Sequence, residues 1–162
     1  MNMDRRALLG RAGLAIAGLV SLRWSAGASA TNARFAVTHS PAEWRQMLGP
    51  QRFEILRKAG TERAFTSPLN GEHRAGVFDC AGCDQPLFAS ATKFDSGTGW
   101  PSFWRPLPRA VVTRTDSSLF MTRTEVLCSR CGGHLGHVFD AGPRPTGLRY
   151  CMNGLALRFR PA

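Results

Sequence analysis

Two C-x-x-C pairs do most to limit how this 162-residue chain can fold. The pairs are Cys80/Cys83 and Cys128/Cys131, and 44 residues lie between them. Four thiolates on two turns can bind one zinc ion tetrahedrally, so the two turns would have to meet in space. Gly82 lies inside the first pair and two glycines directly follow the second, which favours tight turns whose backbone N–H groups point at sulfur. The pattern therefore predicts one structural zinc site held by four cysteine thiolates.

The fifth cysteine, Cys151, is left over once the other four are paired, and it is the candidate nucleophile. In a β-strand, side chains alternate between the two faces, so Arg149 and Asn153 would share the face of Cys151. A nearby positive charge favours the thiolate, which is the nucleophilic form of cysteine. The alternative is a buried free cysteine that only packs. The polar neighbours favour the reactive site.

The first thirty residues have the features of an export signal. Arg5 and Arg6 precede a glycine- and alanine-rich apolar run that ends at Leu22, and Ala28-Ser29-Ala30 has the form of a cleavage site. The run is shorter than the about 20 residues of a membrane-spanning helix, and paired arginines are typical of twin-arginine signals. We therefore expect export to a bacterial periplasm, no stable membrane anchor after cleavage, and a single mature domain at 31–162. An uncleaved amphipathic tail is the alternative.

Disulfide bonds are the other use that an exported chain could make of its paired cysteines, because exported proteins enter an oxidising compartment. A redox C-x-x-C motif, however, normally occurs once, beside a βαβ pattern that is not visible in this sequence. This difference, together with the glycines in and after the cysteine pairs, favours the metal site over disulfide bonds.

The chain is basic, with 21 Lys and Arg residues against 11 Asp and Glu and a formal net charge of +10. The arginines are scattered along the sequence and form no run. Binding to nucleic acid is therefore not expected, and a solvated basic surface is favoured.

A capping box opens the first of two predicted helices: Ser40 is the N-cap, proline follows it, and Glu43 stands three residues on. We expect this helix to end at about residue 48, where Gly49-Pro50 interrupts it. A second short helix is predicted over 51–59, closed by the next glycine.

Short β-prone runs follow the helices, punctuated by Gly, Pro, Asp and Ser. They cover 76–80, 87–90, 110–115, 119–124, 137–139, 149–152 and 156–160. Asp116-Ser117-Ser118 has the composition of a hairpin turn between two of them. The expected body is a mainly β domain of seven or eight short antiparallel strands after an N-terminal helical segment.

Two histidines, His134 and His137, come directly after the second C-x-x-C pair. Four sulfurs already complete a structural zinc site, so an imidazole is available for acid–base chemistry near neutral pH. A structural role is the alternative for each histidine. Trp100 lies in a glycine-rich loop with two more aromatic residues close behind it, so it could wall a pocket or fill the core.

Several stretches of the chain together resemble the methionine sulfoxide reductase B family. They are the two C-x-x-C pairs and residues 60–65, 94–103, 132–140 and 146–153. They occur in the family's order, between about Trp44 and Phe159. The resemblance implies two antiparallel β-sheets, one structural zinc ion, and reduction of the R epimer of methionine sulfoxide in proteins or peptides. We also expect the protein to be a monomer.

The resemblance also implies roles for individual residues. Cys151 would be the nucleophile. His137 and Asn153 would be polar groups of the active site, and His134 would assist them. Trp100 would contact the substrate methyl group, and Phe139 and Arg149 would complete the pocket. The zinc ligands would be Cys80, Cys83, Cys128 and Cys131.

The implied chemistry agrees with these residue types. A thiolate attacks the sulfoxide sulfur, a neighbouring acid protonates the oxygen, and Cys151 is left as a sulfenic acid. His137 is the candidate acid. Many family members carry a resolving cysteine where this chain has Thr98. An external thiol, such as that of a thioredoxin-like protein, would therefore have to restore Cys151.

Two other functions use the same residues. A non-catalytic zinc module could bind an acidic partner through its arginines and would not need Cys151. A Cys/His hydrolase could use Cys151, His137 and Asn153 on an ester or amide, and it would form an acyl-enzyme at the cysteine.

Overall fold

The computed structural model describes residues 35–118 and 121–162. The export signal expected at 1–30 lies outside these residues, so it stays a prediction. So do the first two residues of the strand expected at 119–124, Leu119 and Phe120.

Helix α1 spans Pro41–Lys58 and bends at Gly49, whose φ of 68° and ψ of 172° are not helical. A side chain at this positive φ would be strained, so glycine suits the bend, and Pro50 then begins the second helical half. Ser40 and Glu43 form the predicted capping box. The two predicted helices are thus confirmed as two halves of one bent element. The C-cap is Ala59, in the left-handed conformation, and not the glycine after it.

Nine short strands follow in the part of the chain that the structure describes. They are β1 (Gly76–Cys80), β2 (Pro86–Ala89), β3 (Lys93–Phe94), β4 (Ser102–Phe103), β5 (Val111–Asp116), β6 (Arg123–Cys128), β7 (His134–Phe139), β8 (Arg149–Met152) and β9 (Leu157–Pro161). Short 3-10 helices occur at Pro68–Gly71, Ser90–Thr92 and Gly154–Ala156.

The strands form two antiparallel sheets, as the resemblance implied. One has the order β2-β1-β9 and the other the order β3-β4-β8-β7-β6-β5. Two strands, β3 and β4, were not predicted, because each has only two residues and too little alternation to detect. The strand expected at 137–139 begins earlier, at His134, so both histidines lie on β7. Strand β6 begins at Arg123, later than the predicted run.

Three fully buried phenylalanines connect the two sheets. Phe78 on β1 and Phe88 on β2 belong to the small sheet, and Phe103 on β4 belongs to the large one. The rings of Phe88 and Phe103 stack with centroids 4.4 Å apart, and Phe78 meets Phe103 edge-on at 5.0 Å. Aromatic pairs in these arrangements add about 0.5–1.5 kcal/mol beyond the area they bury. The core therefore holds β4 in place, next to the strand that carries Cys151.

Helix α1 buries five side chains against the sheets: Trp44, Leu48, Phe53, Ile55 and Leu56. Within the described residues, no helix combines the length and the apolar character needed to cross a bilayer.

Candidate active site and metal centre

The four paired cysteines converge at one point. All four sulfurs lie within 4.8 Å of one another, with Cys80 Sγ 3.8 Å from Cys131 Sγ and Cys83 Sγ 3.5 Å from Cys128 Sγ. Sulfurs bound tetrahedrally at about 2.3 Å from a metal ion are about 3.8 Å apart. Three of the four residues are buried and Cys83 is half-buried. The cluster therefore fits a tetrahedral metal ion held entirely by thiolates.

Local backbone geometry shapes the two cysteine turns. The backbone N–H of Gly82 donates to Cys80 Sγ at 3.4 Å in the first turn. In the second, Gly132 has a φ of 67° and lies against the ring of Phe35, so a Cβ there would clash. The second turn follows β6 directly and leads into β7. The cluster of four sulfurs thus lies at the start of the strand that carries both histidines.

Cys151 lies in the middle of the large sheet, on β8. In the ladders it is paired with Ser102 on β4 and with His137 on β7. Directly opposed residues of an antiparallel pair have side chains on the same face, with Cβ atoms about 4.5–5.5 Å apart. The thiol and the imidazole are therefore neighbours.

A cavity of about 120 Å³ opens above this pair. Its walls are formed by Thr61, Trp100, Arg123, Gly136, His137, Phe139, Cys151 and Asn153. Five of the seven residues that were predicted for catalysis or substrate binding therefore line one small space. A larger groove of about 730 Å³ elsewhere contains neither Cys151 nor His137.

The thiol of Cys151 is half-buried, and burial raises its pKa above the ordinary value. The charge of Arg149 acts in the opposite direction and lowers the pKa, as do the nearby hydroxyl groups of Thr98 and Ser102, but burial dominates. The expected cation is thus present, but its effect is smaller than the cost of desolvating a thiolate. At rest the sulfur carries its proton.

The carboxylate of Asp116 forms a hydrogen bond with the imidazole of His137. Nε2 of His137 lies 2.8 Å from Oδ2 of Asp116, and Arg123 donates to the same oxygen at 2.7 Å. The backbone N–H of Ser118 and the imidazole hold the pKa of Asp116 well below its usual range, so it is ionised. Burial lowers the pKa of His137 in spite of this carboxylate. His137 is therefore neutral near pH 7, with the proton on Nε2 facing Asp116.

His134 is supported in a similar way by a second carboxylate. Its Nδ1 lies 2.6 Å from Glu125 Oε1, and Arg114 also binds that carboxylate. Burial acts to raise the pKa of Glu125, but the bonds from His134 and Arg114 outweigh it and the pKa is lowered. The two imidazole rings are 5.4 Å apart, so His134 packs against His137 and lies behind the cavity wall.

Arg149 and Phe139 form one edge of the site. The Arg149 guanidinium lies 4.7 Å from the centroid of the Phe139 ring, within range for a cation–π contact. Its Nη1 donates to Thr98 Oγ1 at 3.4 Å. Arg149 is thus held near the sulfur without lining the cavity itself.

Glu62 organises two cavity residues, and the sequence did not single it out. Its backbone N–H donates to Asn153 Oδ1 at 2.9 Å, and its carbonyl accepts from Trp100 Nε1 at 3.1 Å. Its buried carboxylate accepts from the backbone N–H groups of Gly154 and Leu155. The side-chain amide of Asn153 is therefore held at the cavity wall by a backbone N–H group.

Asp116, Glu125, Arg123 and Thr61 were also not predicted as site residues. Asp116 was interpreted only as a turn residue, and its partner His137 is 21 positions away. The signal for Thr61 and Glu62 was their place in the stretch 60–65, which carried part of the resemblance. Nothing local distinguishes Glu125 and Arg123.

The chain is similar over most of its length to known proteins. Residues 48–161 match the family model described as the SelR domain. Peptide methionine sulfoxide reductase MsrB of Agrobacterium fabrum is 54% identical over 126 residues, which cover 77% of this chain and 93% of that protein. The protein of the same name from Thiobacillus denitrificans is 57% identical over 121 residues, covering 74% and 92%. The one from Methanosarcina barkeri is 51% identical over 129 residues, covering 79% and 91%. The chain therefore belongs to the SelR-domain family, that of the peptide methionine sulfoxide reductases MsrB.

Proposed function

We propose that this protein reduces the R epimer of methionine sulfoxide in proteins or peptides to methionine, with Cys151 as nucleophile and an external thiol as reductant. The observation that carries the proposal is the direct pairing of Cys151 with His137 at the floor of one small cavity. Family membership supports the substrate class and weighs against the hydrolase and the non-catalytic zinc module.

The cavity suits the end of a methionine sulfoxide side chain. Trp100 and Phe139 offer apolar surface to the methyl group and the methylene carbons. Arg123 and His137 add polar groups to the same lining. The sulfoxide oxygen needs a hydrogen-bond donor, which the Arg123 guanidinium can supply at rest and His137 can supply once its ring is an imidazolium. A cavity of about 120 Å³ has room for one side-chain end, which agrees with a substrate presented by a peptide.

In the first step, the proton of the Cys151 thiol is transferred to His137 and then to the sulfoxide oxygen. Because the resting thiol and the resting imidazole are both neutral, the thiol proton can move to the unbonded ring nitrogen of His137, which forms a thiolate and an imidazolium. Asp116 stabilises that imidazolium through Nε2. The thiolate attacks the sulfoxide sulfur, and the imidazolium protonates the sulfoxide oxygen. The balance is one thiol and one sulfoxide giving one sulfenic acid and one thioether, in which Cys151 is oxidised and methionine sulfur is reduced.

An external thiol then completes the cycle. The sequence contains five cysteines, and the other four form the sulfur cluster. The residue that faces Cys151 from the loop is Thr98, which has no thiol. A thioredoxin-like protein or another thiol therefore attacks the sulfenic acid, water leaves, and a second thiol resolves the mixed disulfide.

Zinc is the ion that we propose for the sulfur cluster. Four thiolates in tetrahedral positions are typical of structural zinc sites and leave no open position for substrate. The cluster supplies folding energy and takes no part in the reaction.

The test is turnover of two peptides that differ only in the configuration of one methionine sulfoxide, with a dithiol reductant and chromatographic detection of methionine. The expected result is reduction of the R peptide alone, and none by Cys151→Ser. Reduction of the S peptide, or full activity of Cys151→Ser, contradicts the proposal.

We also propose export by the twin-arginine pathway to a bacterial periplasm, on the grounds of the paired arginines and the small-x-small site at 28–30. Arg5→Lys with Arg6→Lys keeps the charge but changes the motif that the export receptor recognises. The double variant is expected to remain in the cytoplasm as precursor. Normal processing of that variant would point to another route.

A further inference from the structure

Three hydroxyl groups form a continuous chain beneath Cys151. Thr98 Oγ1 is 4.0 Å from Cys151 Sγ, Ser96 Oγ is 2.8 Å from Thr98 Oγ1, and Ser102 Oγ is 2.8 Å from Ser96 Oγ. Ser102 Oγ donates at 3.1 Å to the carbonyl oxygen of Trp100. The chain thus runs from the reactive sulfur to the backbone of the cavity wall.

Counting hydrogen atoms shows what this chain can do. It contains four contacts that each need one hydrogen: sulfur to Thr98, Thr98 to Ser96, Ser96 to Ser102, and Ser102 to the Trp100 carbonyl. Each hydroxyl supplies one hydrogen and a carbonyl supplies none. When the hydrogen of the Cys151 thiol points at Thr98, it is the fourth, so every contact is filled in one direction.

When Cys151 loses its proton, three hydrogens remain for four contacts. If all three hydroxyls rotate, Ser102 donates to Ser96, Ser96 to Thr98, and Thr98 to the sulfur. The contact left without a hydrogen is then the neutral one at the Trp100 carbonyl. A hydrogen bond to a charged group contributes about twice as much as one between neutral groups, so this arrangement is favoured.

The neighbours of the chain permit this rotation. Ser102 is fully buried on β4, so water does not compete for its hydroxyl. Arg149 donates to Thr98 Oγ1 in either direction, because a hydroxyl oxygen accepts two hydrogen bonds. The 4.0 Å between Thr98 Oγ1 and Cys151 Sγ is long for a hydrogen bond between neutral groups. Because hydrogen bonds to an anion are shorter, we expect this distance to decrease when the sulfur loses its proton.

We propose that Thr98, Ser96 and Ser102 form a reversible hydroxyl chain, which turns to donate a hydrogen bond to Cys151 when its sulfur becomes an anion. The proposal rests on Cys151 as the nucleophile. It makes these three side chains positioning residues for the thiolate.

The test measures the thiolate directly and needs no sulfoxide. Alkylation of Cys151 by iodoacetamide is followed as a function of pH by peptide mass, which separates it from the cluster cysteines. The midpoint of the rate profile reports the pKa of Cys151. The charged and titratable groups that face the sulfur are Arg149, Arg123 and His137, and they are the same in every variant compared.

Thr98→Val, which keeps the shape and removes the hydroxyl, is expected to raise the midpoint by about one pH unit, the scale of one lost hydrogen bond to a charged group. Thr98→Ser restores the hydroxyl and is expected to return the midpoint to within about a third of that shift. An unchanged midpoint in Thr98→Val overturns the proposal.

Ser96→Ala tests the reversal itself. It removes the acceptor that draws the Thr98 hydrogen away from the sulfur, so the midpoint is expected at or below that of the unaltered protein. A rise as large as that of Thr98→Val would show that Ser96 only holds Thr98 in place, and the reversal would be wrong. Metal content and melting temperature are measured for each variant to show that the fold is retained.

The result is independent of the peptide assay above. Midpoints that shift as expected in a protein that reduces neither epimer would support the hydroxyl chain and refute the reductase. Reduction of the R epimer with unshifted midpoints would do the reverse.

Discussion

Cys151 and His137 are directly opposed across the β7–β8 ladder, and the far nitrogen of the imidazole is held by Asp116 at 2.8 Å. In the mechanism that we propose, this relationship makes His137 the group that accepts the thiol proton and returns it to the sulfoxide oxygen. His137→Ala is expected to slow sulfenic acid formation by about 10²–10⁴-fold, the usual scale for general acid catalysis. Trapping with a dimedone-type probe in a single turnover measures this rate.

The matched control is His73→Ala, because His73 is exposed and does not line the cavity. It is expected to leave the trapping rate unchanged. Equal rates for His137→Ala and the unaltered protein would mean that water, and not the imidazole, protonates the oxygen.

The second prediction concerns the pH behaviour of His137. Burial lowers its pKa, while Asp116 favours the imidazolium and so raises it. Asp116→Asn removes the raising contribution, so the pKa of His137 is expected to fall further. An NMR titration of the histidine Cε1–H resonances measures the change, with the exposed His39 and His73 as internal references. A rise in the pKa of His137 would contradict the assigned hydrogen bond.

Glu62 is expected to support substrate binding through Trp100 and Asn153. Glu62→Ala leaves the backbone N–H groups of Gly154 and Leu155 without their acceptor, and each unsatisfied buried donor costs about 1–3 kcal/mol. The melting temperature should fall and KM for the R peptide should rise more than kcat falls. Glu62→Gln keeps one acceptor oxygen, so its melting temperature and KM should lie between those of Glu62→Ala and the unaltered protein.

The control for this experiment is Glu54→Ala on the exposed face of α1. It should change neither quantity. A loss of kcat alone in Glu62→Ala would assign Glu62 to the reaction and not to the position of the cavity wall.

The metal cluster is expected to be required for folding. Binding free energies in small zinc sites are about 10–16 kcal/mol and appear as folding energy, so Cys128→Ser should copurify with little zinc and lose its cooperative thermal transition. Cys151→Ser serves as control and should keep both. A metal-free Cys128→Ser that melts sharply at the original temperature would refute this.

Thr98→Cys is expected to change only the second step of turnover. The side chain at this position lies 4.0 Å from Cys151 Sγ, so a thiol there could attack the sulfenic acid after a shift of about 2 Å, since a disulfide has an S–S length of about 2.05 Å. One equivalent of substrate should give an intramolecular disulfide in place of a trappable acid. Mass analysis detects it, and persistence of the dimedone adduct without a disulfide would contradict the prediction.

Local signals predicted the parts of the fold that depend on neighbouring residues. The capping box at Ser40 and the break at Gly49-Pro50 define α1 almost to the residue, because caps and φ preferences act within one helical turn. The spacing of the cysteines predicted one cluster, and all four sulfurs meet. By contrast, β3 and β4 have two residues each and form only because β4 pairs with β8.

The sequence by itself determined which residue types were present for the chemistry, above all a fifth cysteine outside two paired turns and two histidines after them. Only the tertiary structure decided how these groups behave. It placed Glu62 against Asn153, 91 positions away, and the Ser96–Thr98 hydroxyls under Cys151. It also buried Cys151 enough to outweigh the charge of Arg149 and keep the proton on sulfur. The physical reason is that desolvation and hydrogen bonds between distant residues depend on which atoms surround a group in space, and no stretch of neighbouring residues carries that information.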